Sequence, residues 1–323
     1  MGVTTYKSTD GSAPTLAGTV GSFITLLDAV LVNGYGSKSA AGWTKSYSGS
    51  NKAAYRQGSG NQFYMRIQDD GNREDGTASA AGAREAKIRG YEAMSSVDAG
   101  TGPFPTTAQR DTNTGALTVR KSTTADSTAR DWIILADNRT CYVFVATGDT
   151  AGQYRCVKFG EFYSLVTGDS YRTMLMARPI ENSGSSGSEA VGTLTTVAAV
   201  SAGDYLARAY TGVGSAQTAG KHGDATKGSV TILSGNLTYP NSPDSAIYLS
   251  PVWISEGTAG LVRGRCRGLW QPLHVVGSFN DGDIFTGAGG LAGKSFLAIK
   301  LVPGVAGTSG VAFMETSDTW ESN

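Results

Sequence analysis

The stretch Ala288-Gly289-Gly290-Leu291-Ala292-Gly293-Lys294-Ser295 has the spacing of a phosphate-binding loop with Ala in place of the first Gly. That chemistry requires a strand before the loop and a helix after it, because the helix's free N–H groups and dipole help hold the phosphates. Here Phe296-Leu297-Ala298-Ile299-Lys300-Leu301 follows at once and alternates like a strand until Pro303 ends it. The segment therefore reads as a glycine-rich β turn. Ile133-Ile134-Leu135-Ala136-Asp137 imitates a magnesium-binding strand, yet it precedes the loop in sequence and runs into a hairpin. Gly287-x-Gly289-x-x-Ala292 fails as a dinucleotide pattern for want of the same helix. No cofactor is expected.

A serine hydrolase needs a histidine base, and the chain offers only His222 and His274. His274 lies beside Trp270 and Pro272 and reads as a packing residue; His222, in a Lys- and Gly-flanked loop, reads as solvated. Gly184-Ser185-Ser186-Gly187 lacks a strand-to-helix elbow and reads as a linker. Asp69, Asp70, Glu74 and Asp75 surround Gly71 and Gly76 without the alternation of a calcium loop, so an acidic turn is expected rather than a metal site. Cys141, Cys156 and Cys266 are odd in number, far apart and without C-x-x-C spacing, which predicts reduced, buried thiols. Paired carboxylates for glycoside cleavage are a spatial property, so a polysaccharide hydrolase has no positive support. Arg263, Arg265 and Arg267 alternate on one strand face. Without interleaved aromatics they read as an inter-subunit salt-bridge row rather than a phosphate site.

The elements that would position these residues are mostly strands. One helix is expected over Ser22–Asn33, where Phe23, Leu26, Leu27, Val30 and Leu31 recur at helical spacing, with Ser22 as N-cap, Asp28 opposite the stripe and Gly34 as the stop. From Asn61 onward the period falls to two. Strands are expected at Phe63–Gln68, Glu85–Tyr91, Trp132–Ala136, Cys141–Ala146, Tyr154–Phe159, Tyr171–Ala177, Val230–Leu233, Ile247–Trp253, Gly260–Arg265, Phe296–Leu301 and Val311–Glu315. Asp137-Asn138-Arg139-Thr140 joins two of them as a hairpin. Gly100–Asp126 and Asn182–Ala190 read as exposed loops. The fold class is mainly β, an antiparallel sheet or sandwich core with one N-terminal amphipathic helix and long Gly/Ser/Thr-rich loops. Its divisions are an N-terminal arm and helix (1–48), a first part of the β core (49–191), a loop-rich insertion (192–244) and a second part (245–323).

Lys+Arg and Asp+Glu both number 27 among 323 residues. A formal charge of zero gives no net field to attract nucleic acid or acidic lipid, so direct nucleic-acid binding is not expected. Charged residues make up 17% against about 25% in an average soluble domain, which favours association over mutual repulsion. No apolar run is long enough to span a bilayer, and MGVTTYKSTDG lacks the parts of a signal peptide, so a soluble cytoplasmic product with no membrane partner is expected.

The opening MGVTTYKSTDGSAPTLAGTVGS and the segment Leu31–Tyr47, LVNGYGSKSAAGWTKSY, resemble virion structural proteins of tailed bacteriophages, in which a similar helix precedes Gly-Tyr-Gly and Gly-Trp-Thr. Similar phrases occur at Arg84–Met94, Val157–Phe162, Gly168–Met176, Arg263–His274 and Met314–Trp320, so the likeness covers most of the chain outside Gly192–Tyr239. The resemblance implies a many-copy, non-enzymatic particle component made in the bacterial host cytoplasm. A tail, baseplate or collar position is favoured over capsid decoration, with partners that are copies of itself and other virion proteins. A host-receptor or glycan-binding module is the alternative, and a cell-surface polysaccharide hydrolase a weaker one. The first twenty residues lack a core pattern and read as an arm that orders on a neighbour. Tyr35, Trp43 and Tyr47 in loops, with Trp320, are candidate interface anchors, or else cap the core of their own subunit.

Overall fold

The computed structural model describes residues 2–72, 82–109, 116–148, 154–177, 204–214, 219–222, 241–256, 261–274, 279–301, 311–317 and 319–321. In chain order, β1 (Thr4–Lys7) precedes the helix. Then come β2 (Thr44–Gly49), β3 (Lys52–Arg56), β4 (Tyr64–Gln68), β5 (Glu85–Ser96), β6 (Ala99–Phe104) and β7 (Leu117–Arg120). Next are β8 (Trp132–Ala136), β9 (Thr140–Val145), β10 (Arg155–Glu161), β11 (Tyr163–Ser164), β12 (Thr173–Met176) and β13 (Asp204–Leu206). The chain ends with β14 (Ala219–His222), β15 (Leu249–Glu256), β16 (Leu261–Pro272), β17 (Ile284–Thr286), β18 (Ser295–Lys300) and β19 (Val311–Glu315).

These strands form three antiparallel sheets. One has the order β1-β8-β9-β10-β12-β13; a second runs β2-β3-β4-β5-β6 with β7 also on β5; the third runs β14-β15-β16-β19-β18-β17 with β11 on β16. The first sheet is the middle layer, and the sequence says why. Trp132–Ala136 and Thr140–Val145 are buried at every position, the mark of strands covered on both faces. Ile134, Ala136, Cys141, Val143, Phe159 and Leu175 pack with the helix and with Tyr55, Met65 and Ile67 of the second sheet. Their sequence neighbours Ile133, Leu135, Tyr142, Phe144, Cys156 and Met174 pack against Ile254, Leu269, Leu297, Ile299 and Met314 of the third. The period of two thus sorts one continuous apolar run into two cores. The expected hairpin is present, with Ala136 opposite Cys141. All three cysteines are buried and outside any disulfide.

Four expectations need correction. The N-terminal residues are not a free arm: β1 pairs with β8, Tyr6 against Ile134, and Tyr6 and Leu16 are fully buried in their own subunit. The apolar side chains that anchor this segment are too widely spaced to show as a pattern. Gly100–Asp126 is not wholly exposed, because its described part includes β7, with Phe104, Leu117 and Val119 in the core. Ser22 does not cap the helix. Gly21 holds that position at φ 78°, while the Ser22 hydroxyl donates to the carbonyls of Ala17 and Thr19. The helix is also not uniform: Ser22–Leu27 is α and Asp28–Asn33 is π, closed by the Gly34 N–H on the Ala29 carbonyl at 2.8 Å. Ile24, in the α portion, joins the buried face beside the expected stripe. Residues 49–191 contribute to all three sheets, and the described residues of 192–244 include β13 and β14. The expected strand Val230–Leu233, the linker Asn182–Ala190 and the acidic residues Glu74 and Asp75 lie outside the described residues.

Candidate interaction site

Arg263 and Arg267 point inward rather than towards another subunit. Arg263 Nη2 lies 2.8 Å from Asp169 Oδ1 and its Nε 3.0 Å from Oδ2, while Nη1 lies 2.9 Å from Glu256 Oε2. Arg267 Nη2 lies 2.7 Å from Asp137 Oδ2, and its Nη1 donates to Thr140 Oγ1. These guanidiniums and their carboxylates are almost wholly buried. The salt-bridge row between subunits is therefore corrected for both: fixed carboxylates of the same chain use the donors. Burial pushes the Asp169 carboxyl up, but hydrogen bonds from Arg263 and Ser164 outweigh it and hold it below the usual range. Arg265 is the partly exposed member. It pairs with Glu321 at 2.5 Å and lies over the ring of Tyr163.

Trp43 is buried as well, with its indole N–H on the Asp137 carbonyl and its ring against Phe159. Trp320 is buried over Tyr142, its indole N–H on the Glu315 carbonyl. Gly268, at φ 65°, makes room for that ring, since a Cβ there would collide with the indole. Both tryptophans cap their own core. Tyr35 is half-buried, bonded through its hydroxyl to Asp10 and packed on Tyr6 and Trp132. Tyr47, also half-buried, stacks on Tyr64 and donates to the Met94 carbonyl.

His222 ends β14 opposite Trp253 rather than lying in a loop. Gly289–Leu291 is a single 3-10 turn between β17 and β18, and Lys294 pairs with Glu315 at 2.5 Å. The His274 Nε2 accepts the Tyr248 N–H at 2.7 Å. Asp69 is more than part of a turn. Its Oδ2 accepts the Phe23 N–H at the start of the helix, and its Oδ1 lies 2.5 Å from the Lys121 ammonium. Among the described residues no cluster of three or more His, Cys, Asp or Glu is placed to hold a metal ion.

What the arrangement leaves open to a partner is an apolar patch over the Arg263 network. Leu165, Tyr210, Val213, Leu261 and Val262 are each more than half exposed. A concavity of about 220 Å³ is lined by Val166, Tyr210, Glu256, Leu261, Val262 and Arg263. Leu165 is fixed by its N–H on the Arg263 carbonyl, and Tyr210 by its N–H on Glu256. No protein-family model matches the chain, and no curated protein aligns with it significantly. The sequence does carry a signal for the patch. Leu165-Val166 follows β11 and Leu261-Val262 opens β16 as adjacent apolar pairs, and alternation puts the two members of such a pair on opposite faces, so at least one is kept from any one core; here Leu261 and Val262 are both exposed.

Proposed function

We propose that the chain is a structural subunit of a tailed-phage virion, assembling by contacts with copies of itself and other virion proteins, as a tail, baseplate or collar component or a capsid decoration. The observation that carries the assembly part of this reading is the patch of Leu165, Tyr210, Val213, Leu261 and Val262. Tyr210, Leu261 and Val262 line one concavity, and exposed apolar side chains gathered over a fixed backbone suit a place where another chain sits. Zero formal charge adds no repulsion between copies. The virion assignment rests on the phrases shared with tailed-phage particle proteins. Size-exclusion chromatography with light scattering on the purified chain, and mass spectrometry with imaging of purified particles, test it. The expected results are a concentration-dependent oligomer and the presence of the chain in particles. A monomer at all concentrations that is absent from particles would overturn it.

A glycan-binding reading has one observation in its favour: Tyr47 and Tyr64 stack at 6.2 Å on one sheet face, with Arg56 over the Tyr64 ring. Partly exposed rings beside polar groups suit sugar rings. Calorimetry with host surface polysaccharide, with Tyr64→Ala as control, tests it.

A further inference from the structure

Asp69 and Lys121 form the one ion pair among the described residues with both side chains wholly inaccessible to solvent. The amine nitrogen is tightly placed. It lies 2.5 Å from Asp69 Oδ1, 2.6 Å from the Thr19 carbonyl and 3.4 Å from Ser22 Oγ. The other carboxyl oxygen accepts the Phe23 N–H at 2.9 Å, from the first turn of the helix. Burying a full ion pair without further charges is costly, and the low dielectric favours the neutral acid and neutral amine. Burial raises the Asp69 carboxyl and lowers the Lys121 amine, each against the pull of the other. The geometry sets the amine nitrogen against the carboxyl group in a solvent-free site, and in the neutral form that burial promotes the two are a nucleophile facing an electrophile.

We propose that Lys121 and Asp69 condense to an intramolecular isopeptide bond. The Nζ–Cγ bond forms and the Cγ–Oδ1 bond breaks. Oδ1 leaves with its own hydrogen and one from the amine as water, while the second amine hydrogen stays on the amide. No oxidant or cofactor is involved. The tetrahedral intermediate places its negative charge on Oδ2, where the Phe23 N–H already points. Condensation is unfavourable between free groups in water, but effective molarities of about 10⁵–10⁸ M for oriented pairs offset this, and burial keeps out the water that would reverse it. The bond would close a loop with a 52-residue separation, tying the end of β4 to the end of β7 beneath the helix.

Intact mass under denaturing conditions, followed by tryptic mapping of the full chain, tests this. The expected mass is below that of the sequence by about 18 Da, one water. Trypsin should fail to cut after Lys121, and a branched peptide should join the segments holding Asp69 and Lys121. Asp69→Asn should give the same product by loss of ammonia, and Lys121→Arg should give none. The wild-type protein decides the matter even where a variant fails to fold. A full sequence mass with cleavage after Lys121 would overturn the proposal. So would a water loss mapped to a cyclic imide at Asp70-Gly71 with Lys121 still cleavable.

Discussion

Lys158 is the residue whose cost to the fold is plainest. It sits on β10 facing the third sheet and is fully buried, with one long hydrogen bond of 3.3 Å to the Gly160 carbonyl and its nitrogen 5.8 Å from the Tyr142 ring centre. Among the described residues its ammonium forms no ion pair. Burial depresses the amine from 10.5 to about 8; nearby Cys266, Asp204 and Cys156 pull it up and Arg267 pushes it further down. In the unfolded chain the amine keeps its proton to about 10.5. Between about 8 and 10.5 the unfolded state therefore binds more protons, and stability rises with pH; below about 8 the penalty is fully present. It amounts to about 3 kcal/mol at most. Lys158→Met fills the same space without charge, and we expect it to stabilise the protein by about 1–3 kcal/mol at neutral pH. Urea denaturation of both proteins checks this: the gap should close as pH approaches about 10. An equal gap at both pH values would mean that the gain comes from packing alone.

At the scale of elements, what could be read from the sequence depended on where each strand lies. Trp132–Ala136 and Val311–Glu315 have the expected bounds, because Asp137 and the turn after Glu315 end them locally. β1, β6 and β7 were not legible: an edge strand of polar and β-branched residues resembles a loop until its partner is known. Gly160 carried meaning that only the structure explains. At φ 131°, it lets β10 pass the Arg139–Thr140 backbone, where a Cβ would collide. Two predictions belong here. Deleting residues 1–16 removes β1 and the buried Tyr6 and Leu16 and bares the edge of β8, so the truncated protein should aggregate or lose its cooperative thermal transition by circular dichroism. A folded, soluble product would show that the segment is dispensable. Arg267→Ala strands the Asp137 carboxylate at the join between the first and third sheets and should cost about 3–5 kcal/mol in chemical denaturation. Adding Asp137→Asn should recover part of that loss. Both residues stood out in sequence but their pairing did not, because they are separated by 130 positions.

For the whole molecule, three layers give two dry interfaces, and the conspicuous charges serve these joints rather than the outer surface. Arg267 meets Asp137 between the first and third sheets. Arg208 meets Glu92 at 2.6 Å where the first sheet's edge approaches the second. Arg263 ties the loop at Asp169 to the end of β15. With so many charges turned inward, Leu165, Tyr210, Val213, Leu261 and Val262 stand open above the Arg263 joint. Their side chains contribute little to the fold because they are more than half exposed, so replacing them should change stability by only about 0.5 kcal/mol. Val213→Lys combined with Leu261→Lys should therefore leave the melting temperature nearly unchanged while abolishing self-association in sedimentation velocity. Ile284→Lys, at a still more exposed apolar site on the edge strand β17, serves as the control. Association that survives the double substitution but falls with the control would move the contact from the Arg263 joint to the β17 edge, where free backbone groups rather than apolar side chains would carry it.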